Sequence, residues 1–160
     1  MIADAAARDI LARSLAWSDA HVSFERAVRD IPVHLRGTRP PGLPHSCWEL
    51  VEHIRLTQRD ILDFAIAEEY HEAEWPADYW PPSPEPPHAD AWDQSIAAAK
   101  EDCEALQRLA RDAAVDLLAV TPHGTDQTYL REILLVLDHT AYHVGQLVLV
   151  RRALGAWAES

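Results

Sequence analysis

The chain has 160 residues, 48% of them hydrophobic, which is enough for a single domain with its own core over residues 1–160. Its 14 lysines and arginines against 26 aspartates and glutamates give a net charge of −12, and this charge disfavours nucleic acid and anionic membranes as partners. Because charged residues interrupt any N-terminal signal and the longest uncharged segment, residues 139–150, is shorter than the about 20 residues of a membrane span, we expect a cytoplasmic protein.

Prolines and glycines divide the chain into four segments that we predict to be helices. The first, about residues 3–30, has apolar residues at mixed spacings between charged ones. The second begins with a capping box, Ser46 and Glu49, and runs to about Tyr70. The third, about residues 88–113, carries apolar residues in alternating steps of four and three. The fourth, about residues 128–154, is apolar nearly all round and is therefore predicted to be buried on several sides.

Four helices of about 25 residues, without strand patterns or internal repeats, predict an all-α four-helix bundle. The proline-rich connector between helices two and three, residues 71–87, is long enough to run back along a helix, which allows these two helices to be parallel. It contains Trp75, Tyr79 and Trp80, aromatic residues that are unusual in a disordered linker. They would form either a wall or lid over a functional cleft, or a seal at the end of the core.

Histidines supply the candidate metal ligands. His139 and His143 are one turn apart in the most apolar helix, where an unpartnered imidazole costs about 1 to 3 kcal/mol, so a metal, a polar network or a wet cleft must satisfy both. His53, on the inner side of helix two, is the natural third ligand, although a lone inward histidine is more often a hydrogen-bonded core residue. Three histidines and a water form a catalytic type of metal site. We expect the other histidines to be solvated, with His123 the one most able to reach a cleft: His21, His34, His45, His71, His88 and His123.

Two motifs together resemble the DinB-like (DinB/YfiT-type) family of metal-binding four-helix bundles. One is the segment Trp48-Glu49-Leu50-Val51-Glu52-His53, and the other is Asp138-His139-Thr140-Ala141-Tyr142-His143-Val144-Gly145-Gln146. The resemblance extends over essentially the whole chain, including the Tyr79-Trp80-Pro81 segment of the connector. It implies an up-down-down-up bundle that commonly dimerises and carries a divalent ion, often zinc or nickel, on His53, His139 and His143.

The family resemblance leaves several reactions open. Some members resemble thiol S-transferases that use a low-molecular-weight thiol, and others resemble maleylpyruvate isomerases or metal-dependent hydrolases. Our first hypothesis is a metal-dependent S-transferase that acts on a small electrophile. The alternatives are a metal-binding or stress-associated bundle without turnover, and a metal-dependent hydrolase.

Each reaction requires particular residues. Cys47 and Cys103 have no basic neighbour to activate them, so thiol transfer requires an external thiol. Hydrolysis requires a carboxylate base, for which Glu49 and Glu132 are inward candidates, although a capping box and a helix dipole explain these two residues better.

Features of the fourth helix predict further contacts. Gln146 follows His143 by about one turn and is placed to bond a metal ligand or a group that supports one. Gly145 suggests a close helix contact, which a dimer would provide. The apolar fourth helix and the six tryptophans favour a homodimer that buries at least about 1,200 Å².

Overall fold

The computed structural model describes residues 4–157 and is all-helical over this range, without a β-strand. Its α-helices are α1 (Ala5–Ser14), α2 (Phe24–Val28), α3 (Cys47–Ile66), α4 (Ala91–Arg111) and α5 (Tyr129–Ala153). Short 3₁₀ turns lie at Val33–Leu35 and Ala77–Tyr79. The predicted all-helical class is confirmed, and α3, α4 and α5 lie within a few residues of their predicted bounds.

Local capping explains why these helices begin where the sequence indicates. The Ser46 hydroxyl accepts a hydrogen bond from the Glu49 amide at 3.2 Å, and the Glu49 carboxylate accepts one from the Ser46 amide at 2.8 Å. This reciprocal pair is the predicted capping box of α3. Thr128 caps α5 by accepting a hydrogen bond from the Arg131 amide.

The prediction of one continuous first helix over about residues 3–30 is wrong, and its first residue lies outside the described range. α1 ends at Ser14, whose hydroxyl donates to the Leu11 carbonyl, and Ser23 begins α2 by accepting from the Arg26 amide. The intervening residues 16–21 are all exposed. A helix there would bury no apolar stripe, and packing of such a stripe supplies most of the stability of short helices.

The central helix of the fold is α3, which packs along both α4 and α5. α1 lies on α4, and α2 lies on α5. Two apolar clusters form the core, one around Trp48, Trp92 and Leu147 and the other around Leu106 and Ile133. Each fully buried leucine among them contributes about 1.5 to 3 kcal/mol. The middle of α3, between its contributions to these two clusters, carries His53.

Two buried arginines fasten the short helices to the long ones. Arg8 of α1 donates to the carbonyls of Ala110, Asp112 and Val115, just where α4 ends. Arg151 of α5 donates to the carbonyl of Ala27 at 2.7 Å. Each guanidinium satisfies carbonyls that helix termini leave unpaired.

α5 is long and apolar enough to cross a membrane by length and composition, a property that core helices share. Its buried residues include Glu132, His143 and Arg151, and each would be costly in contact with lipid. These side chains face protein in the bundle. The absence of a membrane partner stays a prediction.

Candidate metal centre

The three histidines predicted as ligands, His53, His139 and His143, meet between α3 and α5. Their candidate ligand nitrogens all lie within 4.8 Å of one another, and the Nε2 atoms of His53 and His139 are 3.1 Å apart. His53 and His143 are buried, and His139 is half-buried. One helical turn brings the two α5 imidazoles together, and the packing of α3 against α5 adds the third.

Hydrogen bonds orient two of these rings. His53 Nδ1 donates to the Tyr79 carbonyl at 2.6 Å, and His143 Nδ1 donates to Gln146 Oε1 at 2.9 Å. A neutral imidazole carries one proton, so these bonds place it on Nδ1 and leave the Nε2 lone pair available. Gln146 thus bonds one of the candidate ligands, which is one of the two contacts expected of it.

The spacing of the nitrogens fits a shared cation. The Nε2 atoms of His53 and His139 are 3.1 Å apart, so their lone pairs would repel each other unless a proton or a cation lay between the two nitrogens. Ligand nitrogens about 2.0 to 2.1 Å from a tetrahedral zinc ion lie about 3.3 Å from each other. The donor set, its neutral charge and its spacing therefore suit a divalent metal.

Burial keeps these imidazoles uncharged. It lowers the pKa of His53 to about 4, assisted by His143 and His45 and opposed by the bond to the Tyr79 carbonyl. It lowers the pKa of His139 to about 3, assisted by the other two histidines. The pKa of His143 is also lowered by burial, against the opposing bond to Gln146. At neutral pH the cluster is in the deprotonated form that binds metals.

A sequence model of the DinB superfamily matches residues 16–147, a range that includes all three histidines. The chain belongs to the DinB superfamily. No curated protein and no solved structure gives a significant match. The resemblance inferred from the two histidine motifs is confirmed.

In this DinB superfamily member the connector between α3 and α4 reaches the cluster. The Trp80 ring stacks on the His53 ring, with centroids 3.8 Å apart and planes 5° apart, and also on His45 at 4.2 Å. The Tyr79 hydroxyl donates to Asp60 at 2.8 Å, which fastens the connector to α3. Contact with the cluster is thus confirmed for Trp80 and Tyr79, whereas Trp75 is 69% exposed.

Sequence reasoning missed the part played by His45. We expected this loop residue to be solvated, but its ring stacks on Trp80 and its Nδ1 is buried without a hydrogen-bond partner among the described residues. Its position just before the α3 cap carries no periodic signal that could have placed it. Asp60 was recoverable in principle, because His53 and Asp60 are seven residues apart and share one face of α3.

Several other candidates lie away from the cluster or are otherwise engaged. His123 Nε2 donates to the Ala67 carbonyl at 2.9 Å, and its ring lies 5.5 Å from that of Tyr70. Glu49 is held by its cap and by Arg39, and Glu132 is bonded to Arg131. These bonds leave neither carboxylate arranged as a general base.

Neither cysteine is activated as a nucleophile, and Gly145 is not crowded by another element among the described residues. Burial raises the pKa of both Cys47 and Cys103 to about 11, so both are thiols at neutral pH. A Cβ placed on Gly145 would meet no atom of another element within 4 Å among the residues that the structure describes. The close helix contact expected at Gly145 is therefore not made within residues 4–157.

Proposed function

We propose that this protein is a metal-dependent enzyme that holds one divalent ion, zinc or nickel, on His53, His139 and His143. This proposal rests on the convergence of the three imidazoles. The Nδ1 protons of His53 and His143 already form hydrogen bonds to oxygens, which leaves the other ring nitrogens available for an ion. Three protein ligands leave a position for a substrate or water, as in catalytic zinc sites. Imidazole ligands suit nickel as well.

The reaction that we propose is thiol S-transfer to a small electrophile, with a low-molecular-weight thiol as cosubstrate. A bound divalent ion supplies Lewis acidity, which lowers the pKa of a thiol or water in the open position. The chain's own thiols do not serve as nucleophiles, because burial keeps both Cys47 and Cys103 protonated. Contrary to the sequence-based expectation, Cys47 has a basic neighbour, Arg151, but burial outweighs its effect on the pKa of the thiol. With an epoxide as acceptor, a sulfur–carbon bond forms, a carbon–oxygen bond breaks, and the thiol proton ends on the released oxygen.

The protein residues have separate tasks in this proposal. Tyr79 and Gln146 keep Nδ1 of their partner imidazoles protonated, so that the lone pair of each ring stays on Nε2 and is available to the ion. Trp80 covers one face of His53 and excludes water from it. Hydrolysis is the weaker alternative because the two carboxylates considered as bases, Glu49 and Glu132, are engaged in ion pairs.

Metal titration of the chelator-treated protein tests the site itself. We expect one ion per chain, and loss of most of the affinity when His53, His139 or His143 is replaced by Ala. His21→Ala is the matched control, because His21 is exposed and bonds only locally, to the Val22 carbonyl. Equal metal binding by the control and the three variants would overturn the metal site.

A turnover assay tests the reaction. The metal-loaded protein is incubated with common low-molecular-weight thiols and an epoxide or chloroarene acceptor, and the thioether product is measured. We expect product only with metal, and none from the His139→Ala variant. Tight metal binding without product from any pair would favour the alternative of a metal-binding bundle without turnover.

We also infer the up-down-down-up course of a four-helix bundle in which α1 and α2 together take the place of the first helix. Trp48 and Ala91, near the starts of α3 and α4, border one cleft, and Gln58 bonds to the Ala99 carbonyl halfway along. These contacts support parallel α3 and α4. His53 of α3 contacts His139 of α5. Trp48, about one turn nearer the start of α3, lies in one apolar cluster with residues from the later part of α5. This order of contacts supports an α5 that is antiparallel to α3.

We further propose a homodimer formed through α5. Leu134, Tyr142 and Leu149 are exposed on this helix, and Gly145 offers room for close approach on the same face. Leu149→Glu should convert a dimer into an 18 kDa species in sedimentation at micromolar concentration. Leu118→Glu, equally exposed but off α5, should leave the dimer intact. A wild-type protein that sediments as a monomer would refute the proposal.

A further inference from the structure

Asp60 is a carboxylate of α3 that bonds the segment joining α3 to α4 at two places. Its Oδ1 accepts a hydrogen bond from the Tyr70 hydroxyl at 2.9 Å, and its Oδ2 accepts one from the Tyr79 hydroxyl at 2.8 Å. Asp60 lies about 10 Å along the helix from His53, and it is not part of the group of described residues whose ligand atoms converge. Asp60 can therefore affect the metal centre only through other residues.

The loop between the two tyrosines buries little surface of its own. Seven of residues 71–78 are exposed, and the Asp78 amide donates within the loop, to the Glu74 carbonyl at 2.9 Å. A loop is fixed only by contacts that offset the conformational entropy it loses. The two bonds to Asp60 supply such contacts at both ends of the loop, so they hold the backbone of Tyr79 against α3.

Tyr79 links Asp60 to the histidine cluster, because its two ends bond different partners. Its hydroxyl bonds Asp60, whereas its carbonyl accepts the Nδ1 proton of His53 at 2.6 Å. A bond of the second kind fixes which ring nitrogen carries the proton and how the ring is turned. Burial raises the pKa of Tyr79 to about 12 and also raises the pKa of Tyr70, so both phenols remain hydrogen-bond donors at neutral pH.

We propose that Asp60 is a positioning residue of the metal centre, which sets the proton position and the orientation of His53 through Tyr79. This inference rests on the proposed function, because it assigns Asp60 a part in the same three-histidine site. Hydrogen bonds to an ionised carboxylate are about twice as strong as bonds between neutral groups. Asp60 therefore holds the Tyr79 carbonyl in place more firmly than a neutral side chain would.

A double-mutant cycle on zinc affinity, measured by competition with a chromogenic chelator, tests whether Asp60 acts through Tyr79. Asp60→Ala should lower the affinity about three- to tenfold, and Asp60→Asn, which keeps one acceptor oxygen, should lower it less. In the Tyr79→Phe background, Asp60→Ala should have almost no further effect, because the connection is already broken. Asp63→Ala is the matched control, because Asp63 is on the same helix but pairs with Arg59. Wild-type affinity in Asp60→Ala, or losses that multiply in the double variant, would overturn the proposal.

Nitrogen NMR of the imidazoles in the metal-free protein supplies a readout that a loss of stability alone would not change. In the wild type, His53 should carry its proton on Nδ1. In Asp60→Ala and, to a smaller extent, in Asp60→Asn, part of the population should carry it on Nε2. His143 is the internal control, because its Nδ1 proton is held by Gln146 and should stay there in every variant.

The two measurements separate this inference from the proposed function. A wild-type protein that bound no ion would refute the metal site. An unchanged His53 proton position in both Asp60 variants, with metal binding intact in the wild type, would overturn the role of Asp60 alone.

Discussion

Replacing Trp80 by alanine isolates the contribution of the connector to the metal centre. The indole stacks on His53 at 3.8 Å and on His45 at 4.2 Å, and each aromatic pair contributes about 0.5 to 1.5 kcal/mol. Loss of both should lower the free energy of unfolding by about 1 to 3 kcal/mol, which corresponds to a melting temperature lower by about 2 to 12 °C. Because the stacked ring also orients a ligand, metal affinity should fall about 10- to 100-fold.

The connector itself provides the control for this experiment. Trp75 is 69% exposed, and its ring contacts Tyr79 but not the histidines, so Trp75→Ala should change neither quantity measurably. Metal affinity is measured by competition with a chromogenic chelator, and stability is measured by thermal unfolding of the metal-free protein. If Trp80→Ala lowered the melting temperature but left metal affinity unchanged, stacking would support only the fold, and its role in orienting His53 would be refuted.

Three further predictions concern the same centre. In the metal-free protein, burial lowers the pKa of His53 to about 4 and of His139 to about 3, so the unfolded chain takes up these protons first as the pH falls below about 6.5. The free energy of unfolding, measured with urea, should therefore fall between pH 6.5 and 5. The expected slope is about 1.4 kcal/mol per pH unit for each of the two histidines. Gln146→Leu leaves an imidazole proton unpaired, and metal affinity in the same chelator competition should fall at least about tenfold. Tyr79→Phe should weaken metal binding more than Tyr70→Phe in that assay. Both hydroxyls bond the same carboxylate, but only the hydroxyl of Tyr79 anchors a residue whose main-chain carbonyl also holds a ligand ring.

Each of these three predictions has a result that would contradict it. Stability that is constant between pH 6.5 and 5 would show that the histidines are not buried as neutral groups. Unchanged metal affinity in Gln146→Leu would remove the orienting role of the amide. Equal losses of metal affinity in the two tyrosine variants would show that the bond from the Tyr79 hydroxyl does not help to position His53.

Much of the helical framework was predictable because its signals are local. The capping box of Ser46 and Glu49 and the cap at Thr128 act over three residues, so α3 and α5 begin where the sequence indicates. The pair His139 and His143 needs only the period of one helix. His53 as the third ligand required an assumption about packing, and the contact between α3 and α5 bears out that these rings meet.

The features that the sequence did not predict depend on contacts between distant residues. His45 contacts Trp80 across 35 positions of the chain, and no periodicity links a loop residue to a connector residue. The break after Ser14 was hidden because Leu15 and Trp17 continue an apolar composition, although residues 16–21 are exposed in the fold. Composition indicates how much apolar surface is present, whereas tertiary packing decides which of it is buried.

The two halves of the candidate centre are held by different kinds of structure, and this affects how a metal ion would bind. His139 and His143 share one rigid helix, whereas the ring of His53 is fixed by a carbonyl and an indole of the connector. A metal ion that binds all three imidazoles would therefore also stabilise the docked connector. By the same coupling free energy, undocking of the connector would weaken binding of the ion. Connectors of this kind open at lower cost than core helices. We therefore expect the lifetime of a bound metal ion to depend on how tightly Tyr79 and Trp80 dock, while the bundle determines only where the site lies.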